Sequence, residues 1–458
     1  MSEYILGIDD TDSNRQMCTT YLGTLICELL LEWGVEILDF PKLIRLNPNI
    51  PFKTRGNGAI AIHFKMEESD AELLWEELAS IVKKYSDIED ENTHPGMVLL
   101  QGTIPQYFRD LYLRALYDVI SLKDLKKKIT NYSNVRFYFL KKGRGLIGAC
   151  CAIGAQLIDD YTYEFIAYRI EENRGILKRK INRESVLIAD KKVPLSFNNV
   201  DHESNSIMIT PHGPDPILCG IRGETSESVI EMWRLLKIEE PVERIMIFRT
   251  NQHTKVHFPI EFKGDEIKPY LSVKTHGRVT EKPEYIEGGH VIFSLQIDET
   301  IVDCAAYEPT KKFRNIIINL VEGDELTVFG GIRKPDRGDK MTINLEEIQI
   351  THLVETSDTI TPKCPKCNLT LKSAGKSAGY KCKKCSYRTP TKEFILRPKP
   401  RELRTGVRYV TPICAQRHLT KPVQRDVVLQ FHLNKGTNFA HAFNNFISIR
   451  ASLLKEIS

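Results

Sequence analysis

The stretch YILGIDDTDSNRQMCTTYLG, residues 4 to 23, sets Asp9, Asp10 and Asp12 at the end of an apolar run, with Thr19 and Thr20 following a short polar loop. Residues 4 to 8 read as a strand. From 19 to 33, Leu22, Leu25, Ile26, Leu29 and Leu30 recur at helical spacing, so a helix follows, and the Thr-Thr pair suits its N-cap. Three negative charges this close repel one another unless a cation joins them, while the amides of a helix N-terminus face anionic oxygens. Strand end, acidic loop and helix start therefore outline a site for a metal-bound polyphosphate, with Asp9, Asp10 and Asp12 as ligands of Mg2+.

Moving outward, a second strand is expected near 35–39. It is followed by the loop LIRLNPNIPFKTRGNG (43–58), a strand at 59–64 and a helix at 70–85. A loop so rich in Arg, Asn, Pro and Gly is suited to holding backbone against a ligand, which makes Arg55, Gly56, Asn57 and Gly58 candidate substrate contacts. After a helical region at 106–130 and a strand at 135–140 comes KKGRGLIGACCAIGAQL (141–157). Lys141, Lys142 and Arg144 supply charge there, while Gly143 and Gly145 let backbone approach a phosphate, so this turn is the candidate ATP-binding element.

Near 205 the pattern becomes strand SIMIT, strand ILCGIRG, helix SESVIEMWRLLK and strand RIMIFRT. This β-β-α-β run is three quarters of a ferredoxin-like unit, and 59–101 is available to supply the missing half. From 270 to 353 the chain reads as five strands with a helical FRNIIINLV between the third and fourth. That is the order of an OB-fold barrel, which often binds single-stranded nucleic acid.

CPKC and CKKC place Cys364, Cys367, Cys382 and Cys385 as two Cys-x-x-Cys knuckles, the spacing of a zinc ribbon whose four thiolates leave no open position. Zinc there is structural. Lys366, Lys372, Lys376, Lys381, Lys383 and Lys384 surround the knuckles and are candidate RNA contacts. AGKS at 374–377 resembles the end of a P-loop, but Thr370 stands where that motif needs Gly. The other seven cysteines are scattered, and their odd number argues against a disulfide framework.

At 458 residues the chain is too long for one core, and 41% hydrophobic with 27% charged residues is the composition of a globular protein. No apolar run approaches the roughly 20 residues that cross a bilayer, and Met-Ser-Glu leads straight into a strand, so the cytoplasm and no membrane association are expected. The net charge of +4 hides an asymmetry: residues 361–425 hold 17 Lys+Arg against 2 Glu, so an acidic body carries a basic C-terminal region expected to meet a polyanion.

GIDDTDS, MCTTYLG, FPKLIRLNPNIPFKTRGNGA, KKGRGLIGA, GIRGE, EGGHVIF, AAYEPTKKFRN, the paired CxxC and PICAQRHLTKP occur in that order from about residue 4 to residue 425. Together they resemble the archaeal agmatinylcytidine synthetases that act on isoleucine tRNA. The resemblance implies a multidomain α+β protein: a kinase-like α/β catalytic domain (1–200, with 59–101 available to the next), a ferredoxin-like domain (201–265), an OB-fold (266–357), and a zinc ribbon with a basic extension (358–425). The tail at 426–458 has no match, reads as a helix or a disordered end, and is given no role.

The same resemblance implies ATP-dependent joining of agmatine to ring carbon 2 of the wobble cytidine in an isoleucine tRNA with a CAU anticodon, through a phosphorylated cytidine, so that AUA is read as isoleucine. Thr19 would be an autophosphorylated residue beside the catalytic Asp9, Asp10 and Asp12, and Lys142 to Gly145 would cradle the nucleotide. No obligate protein partner is expected. The competing readings are an RNA-binding protein that uses only the OB-fold and the ribbon, and an RNA kinase that stops at phosphorylation.

Overall fold

Ser2–Asp9 (β1) is apolar on both faces and buried along most of its length, so it needs cover on each side. In this computed structural model, which describes residues 1–54, 56–335, 340–375, 378–391, 395–426 and 438–455, the cover comes from two helices. Thr19–Glu32 (α1) takes the face of Ile8 and its cross-strand neighbour Ile60, where a Cβ on Gly23 would stand 3.0 Å from the Ile60 side chain. The chain then runs through Glu36–Ile37 (β2), Lys42–Arg45 (β3), Gly58–Met66 (β4), Ala71–Lys84 (α2), Gly96–Gln101 (β5), Gln106–Ala115 (α3), Leu122–Ile129 (α4) and Val135–Phe139 (β6). Gly145–Gly154 (α5) takes the opposite face. Nine of its ten residues are buried, because α3 and α4 pack on it from outside while β1, β4 and β5 lie beneath. Gly7 permits that approach: a Cβ there would lie 2.3 Å from the Ala149 carbonyl oxygen.

Thr162–Arg169 (β7) extends the same sheet, followed by Arg183–Lys192 (α6), a small hairpin of Val200–Asp201 (β8) and Ser206–Ile207 (β9), then Ile217–Gly223 (β10), Ser226–Leu235 (α7) and Val242–Thr250 (β11). The strand order is β10-β7-β11-β3-β4-β1-β5-β6, with β2 beside β4. The β11–β3 pair is parallel and joins the two halves. Most of the expected strand SIMIT is not strand. Of SIMIT only Ser206–Ile207 is strand, outside this sheet, because Pro211, Pro214 and Pro216 follow and cannot donate to a ladder. The neighbour of β10 is instead β7, whose eight residues are all buried and show no alternation. The segments β4 and β5 both pair with β1.

Ser272–Val279 (β12), Glu284–Ile286 (β13), His290–Ile297 (β14), Thr300–Ala306 (β15), Lys312–Ile317 (α8), Glu325–Arg333 (β16) and Thr342–His352 (β17) form a second sheet. It runs β12-β16-β17-β15-β14, and β14 returns to β12 through Arg278 opposite Gln296 and Val279 opposite Leu295, so the sheet closes into a barrel with its own apolar core. Ser357–Ile360 (β18) is followed by Lys372–Ser373 (β19), Tyr380–Lys381 (β20) and Arg388–Thr389 (β21), a three-stranded sheet around the four cysteines. Ile395–Pro398 (β22) then pairs back with β18.

Arg408–Val410 (β23) adds to β17, and the chain continues as a strap to Asp426. Not all the charge of 361–425 is free to meet a polyanion, because five of these cations neutralise acids of the body. Arg401 grips buried Asp324 through both carboxylate oxygens, Arg408 pairs with Glu347, Arg417 with Glu346, Lys421 with Asp160, and buried Arg425 with Glu224 and Asp160.

The tail is structured where it is described. Phe439–Lys455 (α9) buries Phe443, Phe446 and Leu453 in the core of the large sheet, Phe40 meets Phe443 edge-on at 5.5 Å between ring centroids, and Trp233 donates to the Leu453 carbonyl. Residues 427–437 and 456–458 lie outside the described residues.

Candidate functional site

A cavity of about 610 Å³ opens at the carboxyl end of β1, and Asp9, Asp10, Asp12 and Thr19 all line it. Asp9 is pressed against α5: a Cβ on Gly148 would lie 1.9 Å from its Oδ2, so the helix carries glycine where the carboxylate must fit. Burial, reinforced by the Asp10 charge, pushes the Asp9 carboxyl well above the usual range. Burial also raises Asp10, to about 6, although the Arg144 guanidinium opposes the shift from 2.9 Å. Asp12 accepts a hydrogen bond from the Thr54 hydroxyl at 3.1 Å.

Three carboxyls beside one guanidinium supply hard oxygen ligands, and a bound cation would favour their ionised form. They do not converge on one point, since among the described residues the four cysteines are the only group of three or more His, Cys, Asp or Glu donors close enough to share an ion. Mg2+ does not require that all three converge, because it commonly takes one or two carboxylates and completes its shell with water and substrate phosphate.

Thr19 is the first residue of α1, one position later than the N-cap expected of it. Cys18 occupies the N-cap with extended backbone and makes no side-chain cap bond. The Thr19 hydroxyl accepts instead from the Thr11 hydroxyl at 3.0 Å in a buried contact. The first turn of α1 contains no acidic residue, so the positive end of the helix stays uncompensated beside the cavity.

Of the KKGRG turn, Lys142 and Arg144 reach the cavity wall and the others serve its shape. Lys141 Nζ donates to the Asp90 carbonyl, Gly143 holds φ at 68° and closes the turn on Leu140, and a Cβ on Gly145 would stand 2.3 Å from the Asp9 carbonyl oxygen. Gly56, Asn57 and Gly58 line the cavity from the loop after β3, while Arg55 lies outside the described residues. Asn47 fastens that loop to the barrel by donating to the Tyr270 carbonyl at 2.8 Å and accepting from the Ser272 hydroxyl at 3.0 Å.

Sequence reasoning missed Arg45, Glu164, Arg222 and His418, which also line the cavity. They come from β3, β7, β10 and the strap, and only the order of the sheet brings them together. The one available signal was Arg222 inside the otherwise apolar β10 and Arg45 at the end of β3.

The four cysteines gather elsewhere. Cys364 Sγ is 3.3 Å from Cys385 Sγ, Cys367 Sγ is 3.3 Å from Cys382 Sγ, and all four lie within 4.8 Å of one another. Disulfides need about 2.05 Å, whereas four thiolates around one tetrahedral zinc at about 2.3 Å stand a little under 4 Å apart, so the donor set fits zinc. Lys366, Lys372, Lys381, Lys383 and Lys384 are exposed around it, and Lys376 lies outside the described residues.

Comparison with known proteins places three family models along the chain: the TiaS TCKD domain over residues 5–142, the TiaS FLD domain over 143–257 and the TiaS C-terminal zinc ribbon domain over 361–403. The isoleucine-tRNA 2-agmatinylcytidine synthetase TiaS of Methanocaldococcus jannaschii is 43% identical over 426 residues, covering 92% of this chain and 98% of the relative. Its counterpart in Pyrococcus horikoshii is 42% identical over 419 residues, covering 91% and 96%. A crystal structure of TiaS in complex with its isoleucine tRNA and ATP superposes with a TM-score of 0.82 at 38% identity, covering 93% of this chain and 98% of that one. One of TiaS with the same tRNA, AMPCPP and agmatine does so with a TM-score of 0.79 at 36% identity, covering 97% and 100%.

Proposed function

The chain belongs to the TiaS family of isoleucine-tRNA 2-agmatinylcytidine synthetases, and from that premise we propose how its residues carry the reaction. It is an ATP-dependent ligase that conjugates agmatine to ring carbon 2 of the wobble cytidine of an isoleucine tRNA with a CAU anticodon. The modified base pairs with A, so AUA is decoded as isoleucine. The observation that carries the reading is that the acidic strand end, the open helix N-terminus, Lys142 and the substrate loop meet in one cavity.

A carbonyl oxygen is a poor leaving group, so cytidine O2 is first phosphorylated by ATP. Asp9, Asp10 and Asp12 would supply the one or two carboxylates that hold Mg2+ at this end, where the ion would offset the charge of the phosphates. Lys142 and the amides of the first turn of α1 receive phosphate oxygens, and Thr19 is placed to carry a phosphoryl group. Arg144 fixes Asp10 through one hydrogen bond from Nε and an ion pair from Nη2, which itself donates to the Asn92 carbonyl, and Lys141, Gly143 and Gly145 set the turn that presents Lys142. Arg55, Gly56, Asn57 and Gly58 hold the RNA base. Agmatine is cationic and goes to a carboxylate of the same cavity; outside the Mg2+ site, and apart from Glu164, which faces two arginines, the candidates are Asp118 and Asp215.

Drawing the wobble base out of its stack costs a few kcal/mol, which contacts elsewhere offset. The exposed ribbon lysines, with Lys376, grip the anticodon arm, and the closed barrel, read as an OB-fold, takes another part of the tRNA. The large sheet is read as the kinase-like domain expected at 1–200 followed by the ferredoxin-like domain expected at 201–265, the second taking β7 from within the range of the first, with the barrel at 266–357. Among the described residues no helix is long and apolar enough to cross a membrane, and we place the protein in the cytoplasm with its tRNA substrate.

The test is an omission series with tRNA transcript, ATP and labelled agmatine. Label transfer that needs all three components supports the synthetase. Binding of tRNA without ATP turnover would leave only the RNA-binding reading, and phosphate transfer without agmatine incorporation only the kinase.

A further inference from the structure

The cavity is electrically two-ended. Toward β1 it is lined by Asp9, Asp10 and Asp12, whereas along the sheet, at β3 and β10, it is lined by Arg45 and Arg222. The carboxylate between these arginines is Glu164 on β7, and it does not neutralise both. Gln252 Nε2 donates to Glu164 Oε2, while Arg45 Nη2 stands 4.0 Å and Arg222 Nε 3.8 Å from its oxygens, beyond hydrogen-bond reach. Asp12 also acts on Arg45, but at longer range, so among the described residues two largely buried guanidiniums lack a hydrogen-bonded carboxylate, an arrangement that a folded protein tolerates poorly without a partner.

Their hydrogen-bonding capacity tells the same story. Arg45 Nη1 donates to the Gly56 carbonyl and Arg222 Nη1 to the Asn198 carbonyl, but among the described residues the buried Nε atoms of both find no hydrogen-bond acceptor. Lys53 lines the cavity as well, and His418, beside Gly56, is driven well below the usual imidazole range, first by the Arg45 charge and then by burial, so it adds no charge of its own. An arrangement of forked donors with excess positive charge matches a phosphate. It repels agmatine, which is itself a cation.

We propose that Arg45 and Arg222 form a second anion subsite, distinct from the ATP end, which takes a phosphate carried into the cavity by the wobble nucleotide. The inference rests on the synthetase reading above. Two phosphates of that nucleotide share this chemistry, the phosphoryl group on O2 and the backbone phosphodiester. In the first case the subsite stabilises the departing group: the agmatine nitrogen bonds to C2, the C2–O2 bond breaks, and O2 leaves with the phosphoryl group as inorganic phosphate, which takes up a proton released by the amine. In the second it anchors the extruded nucleotide.

The test begins with wild-type protein saturated with a non-hydrolysable ATP analogue and titrated calorimetrically with inorganic phosphate. One phosphate bound per chain is expected, with affinity at least about tenfold weaker in Arg222→Gln and partly restored in Arg222→Lys, which keeps the charge; melting curves report whether each variant is folded. Affinity for tRNA without ATP separates the sources: weakening in Arg222→Gln marks the backbone phosphodiester, whereas unchanged binding with a slower agmatine step marks the O2-phosphoryl group. No phosphate binding by the analogue-saturated wild type, or equal binding by Arg222→Gln, overturns the proposal. Agmatine conjugation by the wild type, run alongside, shows whether the failure belongs to the subsite alone or to the synthetase reading.

Discussion

The Thr11 hydroxyl donates to the Thr19 hydroxyl across 3.0 Å in a buried contact, which ties the acidic loop after β1 directly to the first turn of α1. Thr11 lies between Asp10 and Asp12, so a group attached to Thr19 Oγ1 stays within the acidic end of the cavity. Thr19→Ala is expected to reduce agmatine transfer by roughly 10²-fold or more, the scale of losing one reacting group. Its stability should fall by only about 1 kcal/mol, the worth of one hydrogen bond. Transfer at the wild-type rate would remove Thr19 from the mechanism.

The four clustered sulfurs predict about one zinc per chain by metal analysis. Cys364→Ser combined with Cys382→Ser should release it and weaken tRNA binding, since the surrounding lysines lose their frame. Affinity for ATP should hold, because the nucleotide end of the cavity is built from other elements. Loss of zinc with undiminished tRNA affinity would separate the ribbon from RNA recognition.

How far the sequence could be read depended on whether the signal was local. The acidic loop, the helix from Thr19 and the four cysteines are contiguous patterns, and the structure has them where spacing and periodicity put them. The strand β7 was invisible because a strand covered on both faces does not alternate, and Glu164 and Arg169 are buried within it. Arg45 and Arg222 come together only through the sheet order β10-β7-β11-β3, which no local pattern encodes. The basic extension was legible as composition but not as contact: Arg425 looks like surface charge in the sequence, yet it lies buried on Glu224 and Asp160.

Glu346 provides a pH test of the strap. Burial alone would raise its carboxyl, but Arg417, His257 at 3.1 Å and the Thr420 hydroxyl at 2.8 Å outweigh it and hold the group down at about 2. A carboxylate depressed in the folded state contributes stability above its unfolded value near 4.5, and that contribution fades as pH falls toward 2. The shift is worth at most about 3 kcal/mol. Glu346→Gln should therefore flatten the stability–pH curve between these limits in denaturant titrations, and an unaltered slope would refute the assignment.

Helix α9 is expected to be part of the folded core. Phe446 is 2% exposed and packs with Phe40 and Phe443, so Phe446→Ala should cost about 3–5 kcal/mol. Its melting temperature should fall while zinc content stays unchanged. A melting curve like that of the wild type would show that the tail is dispensable.

The central claim is that one chain both activates the wobble cytidine and attaches agmatine to it. The most direct measurement is mass spectrometry of nucleosides from CAU isoleucine tRNA transcript incubated with the purified protein, ATP and agmatine. The account predicts that the wobble cytidine gains the mass of agmatine less one water, only when ATP is present, and that methionine tRNA with the same anticodon stays unmodified. An unchanged wobble cytidine, or a gain that does not require ATP, would contradict it.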